Sequence, residues 1–223
     1  MLVCGMLFRD GDDAYDYFRQ RDLDDEMFPE ISFDEPTHTY TVNGVRFPSV
    51  TEVVSVLRPE SGARDDVLEY KRQIGKAVHK AIELMEAGTL DTDSLDPAIV
   101  PFVEAFRKFK AETGFTVLHS EMIVYSKKLR VAGTLDLTGM RGGKPQVELL
   151  DLKAVWTMGD ETAIQTVGYA ICYEELTGVK IDRRGGLQLL RDGTYRYFGY
   201  PDRNDRNVFL AALTIHNWKN LHR

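Results

Sequence analysis

Residues 130–174 read RVAGTLDLTGMRGGKPQVELLDLKAVWTMGDETAIQTVGYAICYE, and the fold turns on how two acids sit in this stretch. Two apolar runs each carry a carboxylate where a core strand normally excludes one. In AGTLDL it is Asp136, between Leu135 and Leu137; in VELLDLK it is Asp151, two residues before Lys153. Side chains alternate along a strand, so Asp151 and Lys153 share one face while Leu150 and Leu152 share the other. A charge among Val and Leu is costly to bury unless it is paired or holds a metal. The segment ETAIQTVGYAICYEEL that follows reads as a helix, with Gln165, Tyr169 and Tyr173 at i, i+4 and i+8 on one side.

Working outward, FTVLHSEMIVYS and LRVAGTLDLTG read as strands joined by a turn at Lys127-Lys128, and PQVELLDLKAV follows the Gly142-Gly143 turn. The three form a meander that brings Asp136 and Asp151 side by side on neighbouring strands. Beyond the helix of residues 161–176, which closes at Gly178, the hairpin GGLQLL-RDG-TYRYFGY extends the sheet and VFLAALTIHNWKNL supplies a terminal helix. Upstream, residues 64–87 form an amphipathic helix stopped by Gly88, with Ile74, Val78, Ile82 and Met85 on its apolar face. Gly75 lies inside it at a cost of ~1 kcal/mol relative to Ala. His79 comes one turn later on the same side, and a small residue beneath a histidine is expected to admit a close neighbour. Asp96-Pro97 reads as the cap and first-turn proline of a helix carrying Val100, Phe102, Val103, Phe106 and Phe109 to Gly114. Nearer the start, HTYTV and VRF flank Asn43-Gly44 as a hairpin, and Ser49 with Glu52 forms a capping box for a short helix. The expected class is α/β, a central mixed β-sheet flanked by helices with an N-terminal hairpin and helical additions.

A chain of 223 residues, 43% hydrophobic, is long enough for a substantial core. Two cysteines, Cys4 and Cys172, are too few for a disulfide framework and fit a reducing cytoplasm. No apolar run approaches the ~20 residues of a membrane span, and no signal peptide is visible, so no membrane partner is expected. The net charge of −7 sits awkwardly with nucleic acid until its distribution is read. Residues 1–35 hold eleven Asp and Glu against three Arg, a net of −8, and the other 188 residues hold 24 acids and 25 bases. The acidity belongs to the leader. Residues 1–30 therefore read as an acidic extension, and residues 31–223 as one domain with its core at about 64–200.

Two carboxylates on adjacent strands converge on an oxygen-lined point that suits Mg²⁺ or Mn²⁺. The backbone carbonyl of Leu152 can turn in as a further ligand, and His79 can complete the shell with a lean towards Mn²⁺. Lys153 is then placed to orient or deprotonate a water, or to stabilise charge on an attacked phosphate. Metal activation with in-line attack by water is the logic of phosphodiester hydrolysis.

Residues 75–173 resemble the PD-(D/E)XK nuclease superfamily, in particular its RecB-like and phage-exonuclease branches. GKAVH resembles its G-x-x-x-H helix, GTLD its G-x-x-D strand, DLK its D/E-x-K strand and QTVGY its Q-x-x-x-Y helix. The resemblance implies a restriction-endonuclease-like core. It implies His79, Asp136 and Asp151 as metal ligands and Lys153 as catalytic. Glu121, in SEMIVY, stands where such proteins often place a glutamate, and Gln165 and Tyr169 are implied to contact DNA or steady the site. The cysteines of an iron–sulfur cluster are missing, so that cofactor is not expected. The implied activity is a Mg²⁺- or Mn²⁺-dependent DNA exonuclease of phage-type recombination or end processing, in a bacterial or phage-infected cell. An endonuclease of the same chemistry, resolvase- or restriction-like, and a non-cleaving DNA-binding or partner-binding module stay open beside it. DNA is the expected partner; a recombination or annealing protein and a homo-oligomer are left open as further ones.

Overall fold

In a computed structural model of the protein, the residues described are 2–3, 6–7, 30–58, 65–154 and 158–222. Ala14, Tyr17 and Phe18, whose spacing in the sequence suits the apolar stripe of a short helix, lie outside them. Ten strands and five helices follow in chain order among the described residues. Strands β1 (Leu2–Val3) and β2 (Met6–Leu7) pair antiparallel with each other in a separate two-stranded sheet. Strands β3 (Ile31–Asp34), β4 (Thr39–Val42) and β5 (Val45–Phe47) make a small antiparallel sheet. Its β4–β5 turn is Asn43-Gly44, with φ of 49° and 74°, the double positive-φ conformation that Asn-Gly tolerates best. Helix α1 (Val50–Ser55) starts at a complete capping box: Ser49 Oγ accepts from the Glu52 N–H and the Glu52 carboxylate accepts from the Ser49 N–H.

Helices α2 (Asp65–Glu86) and α3 (Val100–Thr113) precede the main sheet. Helix α3 begins a turn later than Asp96-Pro97 implies. Asp96 instead caps a turn at 97–99 that leads into the helix, accepting from the Ala98 N–H at 2.8 Å, and Pro101 takes a first-turn position of the helix itself. The main sheet comprises β6 (Phe115–Ser126), β7 (Val131–Arg141), β8 (Glu148–Lys153), β9 (Arg183–Leu189) and β10 (Tyr195–Gly199), in the order β10-β9-β8-β7-β6. Strands β6, β7 and β8 form the expected meander. Helix α4 (Glu161–Thr177) then crosses over, so β9 runs parallel to β8 and β10 returns antiparallel on the edge. Helix α5 (Asp205–Leu221) ends the chain's regular structure.

The sheet has a core on each face. Val78, Ile82, Phe102, Phe106 and Phe109 of α2 and α3 pack with Leu137, Leu150, Leu152 and Leu187. On the other face, α1, α4 and α5 pack Val50, Tyr173 and Phe209 against Leu135 and Leu149. Each such side chain stabilises the fold by roughly 1.5–3 kcal/mol on full burial. A third cluster, Tyr40, Val42 and Phe47 with Tyr125 and Ala132, seats the small sheet on the ends of β6 and β7. The Tyr40 hydroxyl meets Thr134 Oγ1 at 2.9 Å, which fixes that seat directionally. The α/β class, the mixed sheet between helical layers and the N-terminal hairpin are as the sequence implies. Strand β3 is an addition to it.

Candidate active site

The middle of β7 carries the site because its alternation fails there. Leu135 packs in the cluster beneath α4 and Leu137 in the cluster beneath α2 and α3, although residues two apart on a regular strand share a face. Asp136 is the residue between them. In the β6–β7 ladder Ser120 pairs with Leu137 and Met122 with Leu135, which leaves Glu121 opposite Asp136 without a ladder pair. Glu121 has φ of 51°, a left-handed conformation that costs a non-glycine residue on the order of 1–3 kcal/mol and clusters at functional positions. The strands thus turn two acids out of the pleat at the same level.

His79 meets them from α2. Its Nδ1 lies 3.0 Å from Glu121 Oε1 and 3.5 Å from Asp136 Oδ1, and its Nε2–H donates to the Leu152 carbonyl at 3.1 Å. Ligand atoms of His79, Glu121 and Asp136 all lie within 4.8 Å of one another. Asp136 Oδ2 accepts from the Leu152 N–H at 2.6 Å, so β8 holds the carboxylate's second oxygen. Burial works against the His79 cation, but the Asp136 charge and the Glu121 hydrogen bond outweigh it and hold the imidazole up at about 9. Burial raises the Asp136 pKa, with the His79 and Lys153 charges opposing.

Asp151 and Lys153 share a face, as alternation requires, and are paired: Asp151 Oδ2 lies 2.6 Å from Lys153 Nζ. The contact is an ion pair without hydrogen-bond geometry, and among the described residues neither Asp151 oxygen has a well-directed donor. Burial pushes Asp151 up to about 6, while the Lys153 charge pulls it down. Lys153 is raised: burial disfavours its cation, but the charges of Asp151 and Asp136 more than compensate. At neutral pH the pair is ionised. Asp151 thus lies outside the three-donor group but flanks it, and Glu121 lies within it.

Gln165 and Tyr169 are buried on the sheet side of α4, and Gln165 Nε2 donates to the Tyr169 hydroxyl at 3.1 Å. Gly133 explains how the ring gets there. A Cβ at Gly133 would come within 2.7 Å of Tyr169 Cε1. Tyr173, the third member of the stripe, is wholly buried and sits 3.5 Å from His119 Nδ1. Gly75 corrects an expectation: among the described residues nothing lies within 4 Å of where its Cβ would stand, so it admits no close neighbour beneath His79.

Two residues near the pair were not singled out from the sequence. Tyr200, just past β10, has its hydroxyl over Gly186, where a Cβ would come within 2.6 Å of it. Gly186 is the ladder partner of Asp151. Burial first, and the Asp151 charge second, push the Tyr200 hydroxyl up to about 12. Arg58, close enough to lower the Lys153 pKa, is 3.3 Å from Glu161. Neither lies in a motif, and only the fold brings them to β8.

No family model matches the sequence, and no curated protein does. Among solved structures, the chain is similar to LHK-Exo in complex with dAMP at 15% identity, over 78% of this chain and 87% of that one, with a TM-score of 0.42. It is similar also to a structure of an alkaline exonuclease (LHK-Exo) from Laribacter hongkongensis, at 14% identity over 77% of this chain and 90% of that one, with a TM-score of 0.35.

Proposed function

We propose that the protein is a metal-dependent DNA nuclease, acting as an exonuclease in recombination or end processing of the phage type. The observation that carries this reading is the convergence of His79, Glu121 and Asp136 beside the buried Asp151–Lys153 pair. The donor set fits a hard divalent ion. Neighbouring ligands of an octahedral ion with ~2.1 Å bonds stand ~3 Å apart. The spacings from His79 Nδ1 to the two carboxylates are 3.0 and 3.5 Å. Carboxylates suit Mg²⁺ and Mn²⁺, and the imidazole favours Mn²⁺. His79 binds through Nδ1, since its Nε2–H is committed to Leu152. The Leu152 carbonyl would keep a second lone pair for the ion, and Asp151, outside the three-donor group, would offer a further carboxylate from β8. A divalent ion there polarises a phosphoryl oxygen and lowers the pKa of water.

The chain's own residues do the rest. Lys153, kept cationic by Asp151 and Asp136, donates to a phosphate oxygen as negative charge builds up in in-line attack. Its raised pKa disfavours the alternative role of proton acceptor. Asp151 aims the ammonium. Gln165 and Tyr169, being buried, steady β7 from behind and do not touch DNA. Choice of the exonuclease over an endonuclease follows the four motifs of the RecB-like and phage-exonuclease resemblance. End-labelled linear duplex, single strand and closed circle, each with Mg²⁺, Mn²⁺ or chelator, test both levels. Linear DNA is expected to shorten from its ends with metal, with the circle intact and chelated samples inert. Cutting of the circle reassigns the enzyme as an endonuclease, and no cleavage with either ion rejects the nuclease reading.

A further inference from the structure

We propose that the groove between α4 and the edge strand β10 is a second nucleic-acid site, holding the phosphodiester backbone of a single strand as it passes the active site; this rests on the nuclease reading above. The groove is a cavity of about 790 Å³. Lys180, Arg203 and Arg206 line it, all exposed, and none makes an ion pair among the described residues. Arg183 borders it too, but alternation with Arg184 turns its side chain to the other sheet face. Three carboxylates also line it, and each is held by a backbone N–H: Glu174 by Ile181, Asp182 by Val147 and Asp202 by Asn204. The fifth cation, Arg184, is spent on Asp205 at 2.8 Å and on backbone carbonyls. Three cations therefore face the groove without an ion-pair partner among the described residues.

The rest of the lining fits nucleotides. Val167, Ala170 and Ile171 of α4 give an apolar wall, and Tyr200 brings an aromatic ring, whereas the Tyr197 ring lies between Gly185 and the Arg141 guanidinium on the other sheet face. Cations that track a backbone, interleaved with rings on which bases stack, are the composition of a single-strand groove. The groove's position ties it to the chemistry. Tyr200 stands over Gly186, the ladder partner of Asp151, so one end of the groove reaches the strand next to β8. The strand TYRYFGY, of which only Tyr200 comes near the active site, thereby acquires a role.

The test uses the full chain with cleavage stopped by Asp136→Asn, with and without Lys180→Ala, Arg203→Ala and Arg206→Ala together. Fluorescence anisotropy of a labelled 20-nucleotide oligo(dT) is read across a salt series, with thermal melts to verify folding. The triple substitution is expected to weaken binding at least tenfold at 0.1 M salt. It should also flatten the slope of log K against log salt by roughly 2, from ~0.7 per lost phosphate contact. In the cleavage-competent chain, hydrolysis of bis(p-nitrophenyl) phosphate, too small to reach the groove, is expected to be unchanged. Parental affinity for oligo(dT) in a triple variant of a protein that still cuts DNA overturns the groove and leaves the nuclease reading standing. So does an equal loss on duplex, or a parallel loss on the small diester. A parent that neither cuts nor binds DNA removes the nuclease reading and the groove with it.

Discussion

At the scale of single residues, the site is an arrangement of charges that the fold tolerates only because they are opposed. Asp136 and Asp151 are both raised by burial, and both lean on Lys153. Asp136→Asn and Asp151→Asn are each expected to abolish metal-dependent cleavage at saturating Mn²⁺. Without metal, Asp136→Asn is expected to leave thermal stability unchanged or raised, because a like charge is removed from beside Glu121. Lys153→Ala should cut turnover by at least a hundredfold while leaving Mn²⁺ affinity by calorimetry unchanged or tighter, since a cation next to the ion is gone. His79 gives a pH signature. Its folded pKa of about 9 lies above the ordinary 6.5. A raised folded pKa contributes stability that is full below 6.5 and is lost as pH climbs through 9. The chelated protein is therefore expected to melt at falling temperature between pH 6.5 and 9, and His79→Gln to remove that component. An unchanged pH profile in His79→Gln means the imidazole is not the group held by the acids.

At the scale of elements, the strands and helices that build the site were legible because each is an apolar run with a defined period and a stop. The helix from 161 ends at Gly178, the hairpin turns on Asn43-Gly44 and the capping box at Ser49 forms as written. What the sequence hid is the fault in the pleat. Strict alternation assigns Leu135 and Leu137 to one face, and nothing local says that Glu121 adopts φ of 51°. That conformation is imposed by long-range pairing, so no local pattern records it. Glycines were legible as a type and misread in place. Gly75 was given a contact it lacks, whereas Gly133 and Gly168 admit Tyr169 and Phe209. The contrast is testable by thermal melts. Gly75→Ala adds a methyl to open space in a helix interior and is expected to stabilise by about 1 kcal/mol. Gly133→Ala drives a Cβ to 2.7 Å from the Tyr169 ring and is expected to destabilise by roughly 1–3 kcal/mol. Displacing Tyr169 also shifts β7, so Gly133→Ala is expected to lose activity beyond its loss of stability, measured well below its melting point.

For the whole molecule, the question is how a chain of net −7 engages a polyanion. The charges are segregated: residues 1–35 carry a net of −8, and the remaining 188 are close to neutral, with 25 bases and 24 acids. DNA affinity is dominated by phosphate neutralisation, so a tethered acidic segment lowers it. Removing that segment without touching the fold needs a cut before Glu30. Its carbonyl accepts from the Asn43 N–H at 2.8 Å, and Ile31 begins β3, paired with Val42. Deleting residues 1–29 takes out eight carboxylates and three arginines and raises the net charge to −2. We predict tighter DNA binding at low salt and unchanged hydrolysis of a small phosphodiester. Salt discriminates how the segment acts. Screening shortens the Debye length to ~3 Å at 1 M, so diffuse repulsion fades and the two proteins should converge there. A segment seated on the cations that DNA uses behaves differently: it is protected from protease until oligo(dT) displaces it. Anisotropy titrations of the full and shortened chains from 0.05 to 1 M salt, with limited proteolysis alongside, read both effects. Equal or weaker DNA binding by a folded 30–223 chain rejects the electrostatic role.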